Sequence, residues 1–272
     1  MNNSEINICS IIIGEEVKVE NAVQDLEIDF HVENALINGQ IKVSKSSKKF
    51  LINLLNISDK KFDLNLEILL NEESFLELRD ESDYKHGSSI KINSIIKKNS
   101  ILEFFRLNNF KNESKNTFIH NIELSSNCEF RDFNFSNGSS EMDNKTAVSL
   151  NDENASYVGS GVMISNSTNS NNELSINHLS KLAKSDCSFK AVSRGNSNIR
   201  FSGNVFVDHD CSKTISNQIS KGLVMDELAK ISLIPKLEIY NDDVVCAHGA
   251  ASGKPDESII FYLKSRGISH DE

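Results

Sequence analysis

The sequence contains no tryptophan, only two prolines (Pro235 and Pro255) and few aromatic residues of any kind, 7% in all. So few rings leave little from which to build the aromatic platforms that polysaccharide-active proteins use to hold sugars. Positive charge is also scarce: 29 Lys and Arg face 39 Asp and Glu, and the net charge of -10 would repel a phosphate backbone unless the cations gathered on one face. No apolar run approaches the roughly 20 residues that cross a bilayer. Residues 1–20 lack the basic start and sustained apolar stretch of an export signal. The five cysteines (Cys9, Cys128, Cys187, Cys211 and Cys246) are odd in number and never form a CxxC pair, which argues against a disulfide framework and a zinc ribbon. These absences predict reduced thiols in a cytoplasmic protein that binds neither nucleic acid nor membrane. A hydrophobic share of 38% over 272 residues allows a core, but a thin one.

Apolar residues mostly alternate with polar ones, as in Leu64-Asn65-Leu66-Glu67-Ile68 and in Ile119 to Leu124, the pattern of half-buried strands. Short polar breaks at Asn71 to Ser74, Lys97 to Ser100, Ser125 to Cys128 and Asn151 to Asn154 recur roughly every 26 to 28 residues, with a later one at Lys184 to Cys187. This period, with almost no helix, predicts an all-β chain wound as a parallel β-helix. No single rung can bury its apolar face alone, so rungs stack and fill a narrow interior with Ile, Leu, Val and Phe. An antiparallel sandwich is the alternative, because alternation does not reveal strand direction. Two polar stretches, Ser136 to Lys145 and Ser165 to Asn172, read as surface loops. The stack is expected over residues 1–255 and a short C-terminal helix over 256–268, capped by Asp256, striped with Ile259, Ile260 and Leu263, and stopped by Gly267. Such a helix suits closing the stack or docking a partner.

The densest group of reactive side chains is Asp242 to Ala250. If Leu237 to His248 is one strand, Cys246 and His248 lie two apart on one face and can share a soft metal ion. Two ligands do not complete a site, and the same spacing is met by a small buried cysteine beside a hydrogen-bonded surface histidine. Asp242 and Asp243 suit the hydrated start of the strand, and His209, between Asp208 and Asp210, suits a solvated corner. No GxxxxGK[ST] loop is present, since Gly249 to Lys254 has the wrong spacing, and no GxSxG serine elbow occurs.

The run from Pro235 to Ala250, with Leu237-Glu238-Ile239-Tyr240 and Cys246-Ala247-His248-Gly249-Ala250, continues through Gly253, Asp256-Glu257 and Phe261 to Ile268. It closely resembles the end of the core domain of the SufB/SufD family of iron-sulfur cluster assembly proteins. Phe201 to Val207, Lys213-Thr214 to Gln218, and Asn177-His178 extend the likeness upstream, which is strong from about Val148 to Ile268. The cysteine-bearing motif favours the SufD branch over the SufB branch, whose segment typically reads Glu-His-Glu-Ala-Thr. The resemblance implies a right-handed parallel β-helix and a non-catalytic scaffold subunit that pairs with a SufB-like subunit as a heterodimer. It implies that His248 helps hold a transient iron-sulfur cluster shared with SufB, with Cys246 as a candidate second ligand or inward packing. ATP hydrolysis belongs to a separate SufC-like ATPase, so this chain is expected to bind no nucleotide. The sequence departs from the family in lacking a helical region ahead of the strands, in stopping at Ser269 to Glu272, and in having Ala251-Ser252 for a commoner Thr-bearing segment. The missing helices leave contact with SufC open. A degenerate structural member without a cluster role, and a polysaccharide-active β-helix, are the competing expectations.

Overall fold

The computed structural model describes residues 6–269 except 15, 22, 47, 57–59, 82–85 and 111–113. Alternation of apolar and polar residues produces nineteen strands among the described residues. The first are β1 (Ile6–Ile13), β2 (Val17–Glu20), β3 (Leu26–Glu33), β4 (Leu36–Val43), β5 (Lys49–Asn56), β6 (Asp63–Leu70) and β7 (Phe75–Asp80). The middle of the chain gives β8 (Ser89–Ile96), β9 (Ile101–Phe110), β10 (Lys115–Leu124), β11 (Glu129–Gly138), β12 (Glu141–Leu150) and β13 (Ser156–Asn166). The last are β14 (Asn169–His178), β15 (Lys184–Arg194), β16 (Asn198–Val207), β17 (Ile215–Val224), β18 (Lys230–Ile239) and β19 (Val245–Gly253), followed by the helix α1 (Glu257–Ser265).

From β4 onward successive strands fall alternately in two sheets, each pairing in parallel with the strand two places on. The chain is thus a parallel β-solenoid of about seven turns, as the periodicity predicts. Lys115 faces Glu141, 26 residues later, whereas Asn198 faces Lys230, 32 residues later, so the rung lengthens along the stack.

The polar breaks become stacked corners. Glu73, Asn99, Asn127 and Asn154 take left-handed backbone conformations with φ between 55° and 60°, which asparagine tolerates better than most residues. The N–H of Glu73 donates to the carbonyl of Lys98, that of Asn99 to Ser126 and that of Asn127 to Glu153, so each corner is bonded to the next. The fifth corner lies at residues 179–183, ahead of the expected Lys184 to Cys187. Those four residues begin β15, with Ser185 and Cys187 buried and Lys184 and Asp186 exposed: they alternate rather than turn.

The interior holds ladders of like residues. On one sheet Ile41, Ile68, Ser94, Ile122, Val148, Ile176, Val205 and Leu237 follow one another in register, each of the buried aliphatic members contributing about 1.5–3 kcal/mol. Ser94, the polar member, is bonded at 2.9 Å to Nε2 of buried His120.

The two stretches expected as surface loops are mostly strand. Ser136, Ser140, Asn144, Ser165, Ser170 and Asn172 are buried. Asn144 Nδ2 donates to Asn172 Oδ1 at 2.8 Å and Ser114 and Ser140 hydroxyls meet at 2.9 Å, which offsets the cost of burying them.

The stack begins with antiparallel strands: β2 pairs with β1, and β3 with β4. Phe30 of β3 covers the backbone of Gly39, where a Cβ would fall 2.2 Å from its ring. The helix α1 is capped by Asp256, whose carboxylate accepts from the Ser258 N–H at 2.8 Å. It ends where Gly267 and Ile268 donate to the carbonyls of Lys264 and Leu263, with Gly267 at φ 87°. The helix buries none of its residues and leaves Ile259, Phe261 and Leu263 exposed, so it does not close the stack.

Candidate functional site

Cys246 and His248 stand on β19, at the edge of its sheet, with β17 its neighbour there. The strand expected to run from Leu237 through His248 is interrupted. Residues 240–244 form a corner, so Leu237 belongs to β18 in one sheet and His248 to β19 in the other. Within β19 the two-residue spacing still places both on one side. Cys246 pairs in register with Ser216 and His248 with Gln218, both buried, so both candidates face the solenoid interior at its last rung. Cys246 packs against the core and burial pushes its thiol pKa up, while the Ser216 backbone pulls it down. His248 is exposed.

The remaining candidates do not join them. The Asp243 carboxylate pairs with Lys213 Nζ at 2.7 Å, and the Asp243 carbonyl accepts from the Lys213 N–H, fixing the last corner to the one before. Asp242 is exposed in that corner. His209 is exposed in a turn, where its backbone N–H donates to Asp208 Oδ1 at 2.8 Å and its ring lies 5.1 Å from that of Tyr240. The Asp208 to Asp210 triplet thus lies past the end of β16, in the solvated corner expected for it. Among the described residues no three His, Cys, Asp or Glu side chains form a group able to hold a metal ion. Cys246 and His248 thus offer two donors of the types that ligate iron-sulfur clusters, short of the usual four. Gly249 and Gly253 lie extended in β19 with open space around them, unlike glycines of a loop that cradles phosphate.

The register also reveals what sequence spacing did not. Asp132, Gly159, Cys187, Gln218 and His248 are consecutive partners across β11, β13, β15, β17 and β19. This row borders a partly open cavity of about 60 Å³ lined by Arg106, Asp132, Asn144, Tyr157, Cys187 and Gln218, among others. Gln218 fits because Gly203 opposite has no side chain: a Cβ there would fall 1.8 Å from Gln218 Nε2. Both amide atoms of Gln218 and one oxygen each of Asp132 and Asn144 have no protein partner, and the cavity has room for a few water molecules that would serve them. Burial raises the Asp132 carboxyl and strongly raises the Cys187 thiol, so Cys187 is an inert, protonated member of the row. The signal in the sequence was the recurrence of inward polar residues about one rung apart, at 187, 218 and 248, blurred by the lengthening rung.

Residues 66–272 match the family model described as SUF system FeS cluster assembly, SufBD core domain. The match reaches further toward the N-terminus than the motif resemblance. Iron-sulfur cluster assembly protein SufD of Escherichia coli is 29% identical over 202 residues, which is 74% of this chain and 47% of that protein. An iron-sulfur cluster assembly SufBD family protein of Mycobacterium leprae is 27% identical over 195 residues, 71% of this chain and 22% of the relative. One from Synechocystis is 38% identical over 69 residues, 25% of this chain and 15% of the relative. The chain spans about half the length of the E. coli relative and less of the other two.

Proposed function

Because the chain belongs to the SufB/SufD family of iron-sulfur cluster assembly proteins, we propose that it is a non-catalytic, cytoplasmic scaffold subunit of the SUF machinery. In this reading it pairs with a SufB-like subunit and His248 helps hold a nascent cluster at their interface. The observation that carries it is the placement of His248 and Cys246 on one inward face of an uncovered edge strand. An edge strand offers unpaired N–H and C=O groups to a second chain, and two donors leave the remaining ligands of a cluster to be supplied from that chain. A neutral imidazole in place of a thiolate lowers the negative charge of the cluster, and an incomplete ligand set suits a substrate that must leave again. Cys246 is the second ligand. Residues 1–255 act as the stack and 256–268 as a separate contact element, whose exposed apolar side chains leave a SufC-like ATPase as an additional partner. ATP binding and hydrolysis belong to that other subunit.

The test is to co-express the chain with the SufB-like and SufC-like proteins of the same genome, purify by a tag on this chain and measure the native mass. A stoichiometric complex containing the SufB-like protein is expected, and its loss of cluster on His248→Ala supports the ligand role. A monomer or homo-oligomer that leaves both soluble partners behind overturns the reading. A complex whose cluster survives His248→Ala removes the ligand and keeps the pairing.

A further inference from the structure

The last strands of the two sheets present free edges that are not alike. Among the described residues β18 pairs with β16 alone and β19 with β17 alone. Along a strand of a parallel sheet the backbone N–H and C=O groups turn to alternate sides, residue by residue. The Lys230 N–H donates to the Ser197 carbonyl and the Tyr240 N–H to the Val207 carbonyl, so the even-numbered residues of β18 bond to β16. Ile231, Leu233, Pro235, Leu237 and Ile239 therefore turn their backbone groups to the free edge. In β19 the Val245 N–H donates to the Thr214 carbonyl, which directs the odd-numbered residues to β17. Cys246, His248, Ala250 and Ser252 are left to face its free edge.

Pro235 has no N–H, so the β18 edge lacks the donor at its centre, and the pyrrolidine ring stands where a paired strand would accept one. Within sheets proline is confined to edges whose N–H side faces solvent and not a further strand. Lys230, Lys236 and Glu238 put charge on the same strand, a second feature of edges that stay unpaired. The β19 edge has neither device. From Val245 to Gly253 there is no proline and no Lys, Arg, Asp or Glu, and every residue that faces the edge offers both an N–H and a carbonyl.

We propose that this end of the solenoid accepts an extended strand from its partner on the β19 edge alone, and that Pro235 bars the β18 edge. That the partner is a SufB-like subunit rests on the reading above, whereas the choice of edge does not. Paired residues of neighbouring strands point to the same side of a sheet. Partner side chains opposite Cys246 and His248 thus fall on the inward side, where the partner's ligands are needed.

Amide hydrogen exchange resolved by residue, on the chain alone and in complex with the SufB-like protein of the same genome, tests the choice. Exchange at Cys246, His248, Ala250 and Ser252 is expected to slow about tenfold or more in the complex, while Ile231, Leu233, Leu237 and Ile239 stay within about twofold. Ala250→Pro removes an edge donor without touching a bond to β17, and it should weaken the complex about tenfold or more with the urea midpoint of the chain unchanged. Ser252→Pro makes the same test should the first variant not fold. Equal slowing on β18 and β19, or full affinity in a folded proline variant, overturns the choice of edge and keeps the pairing. Where no complex forms, exchange is read on self-association of the chain at high concentration. Slowing confined to β19 there keeps the choice of edge and overturns only the SufB-like partner, and no slowing at either edge overturns both.

Discussion

One inward row crosses nine of the ten strands of one sheet, and its two halves are made of different materials. Cys9, Ile52, Leu78 and Phe104 follow in register across β1, β5, β7 and β9; Asp132, Gly159, Cys187, Gln218 and His248 continue the same row across β11 to β19. The ends differ in the same sense. Antiparallel β2 and β3 finish the first rungs, with Val17, Ile28 and Phe30 against the core. At the other end β18 and β19 keep parallel register and leave inward-facing side chains uncovered. Identical backbone winding thus supports two versions of this row, while the aliphatic ladder of the other sheet runs through both halves. One version is apolar and covered at its end, and the other is polar and leads to an edge where its last side chain, His248, is exposed.

The strongest way to break this comparison is to remove a side chain from each half of the row. Phe104→Ala, at a wholly buried ring, is expected to cost about 3–5 kcal/mol in a urea titration. Gln218→Leu removes an amide whose two polar atoms have no protein partner, and it should change stability by less than about 1 kcal/mol or raise it. Comparable losses from both would mean that the polar half is as tightly packed as the first.

The second test uses pH. His178 is held neutral by burial, with its pKa lowered from 6.5 to about 4. A group depressed in the folded state contributes stability that is present above its unfolded pKa and lost as pH falls through the folded one. Acidification from 6.5 to 4 should therefore remove about 3 kcal/mol through His178. Buried His120 in β10, packed against the rings of Phe104 and Phe130, is lowered as well and adds to the loss in the same direction. His178→Gln should flatten that part of the profile measured by urea midpoints between pH 7 and 4. An unchanged slope in the variant would remove His178 as the source.

The repeat was legible because its corners carry their own chemistry: Asn99, Asn127 and Asn154 supply left-handed turns at nearly equal intervals. The first half of the interior was legible for a similar reason, since alternating Ile and Leu have one economical place to go. The second half was hidden. Ser136 to Lys145 and Ser165 to Asn172 read as surface because polar residues usually are, and their burial depends on partners about one rung away, such as Asn144 with Asn172. Cys246 and His248 could be paired from spacing along one strand. Their alignment with Gln218 and Ser216 depends on rung length, which grows from 26 residues between Lys115 and Glu141 to 30 between Ile215 and Val245.

The smallest expected effect lies in the corners, where the halves also differ. Where three of the first four corners place asparagine in the left-handed region, the later ones place Leu182 and Lys213 there, each at φ 62°. Their N–H groups donate to the carbonyls of Ser212 and Asp243, so the ladder holds the strained conformation in place. A leucine there has its Cβ close to a backbone oxygen, a cost of about 1–2 kcal/mol, which asparagine reduces by bonding locally to its own backbone. Leu182→Asn should accordingly raise stability by roughly 0.5–1 kcal/mol, whereas Asn127→Leu should lower it by at least as much, since it also loses the bond from Asn127 Nδ2 to Asn99 Oδ1. Opposite signs for the two substitutions in parallel urea titrations would show that the corners follow one rule throughout. A loss from Leu182→Asn would instead mean that the leucine's half-exposed side chain contributes packing at that corner which outweighs its strain.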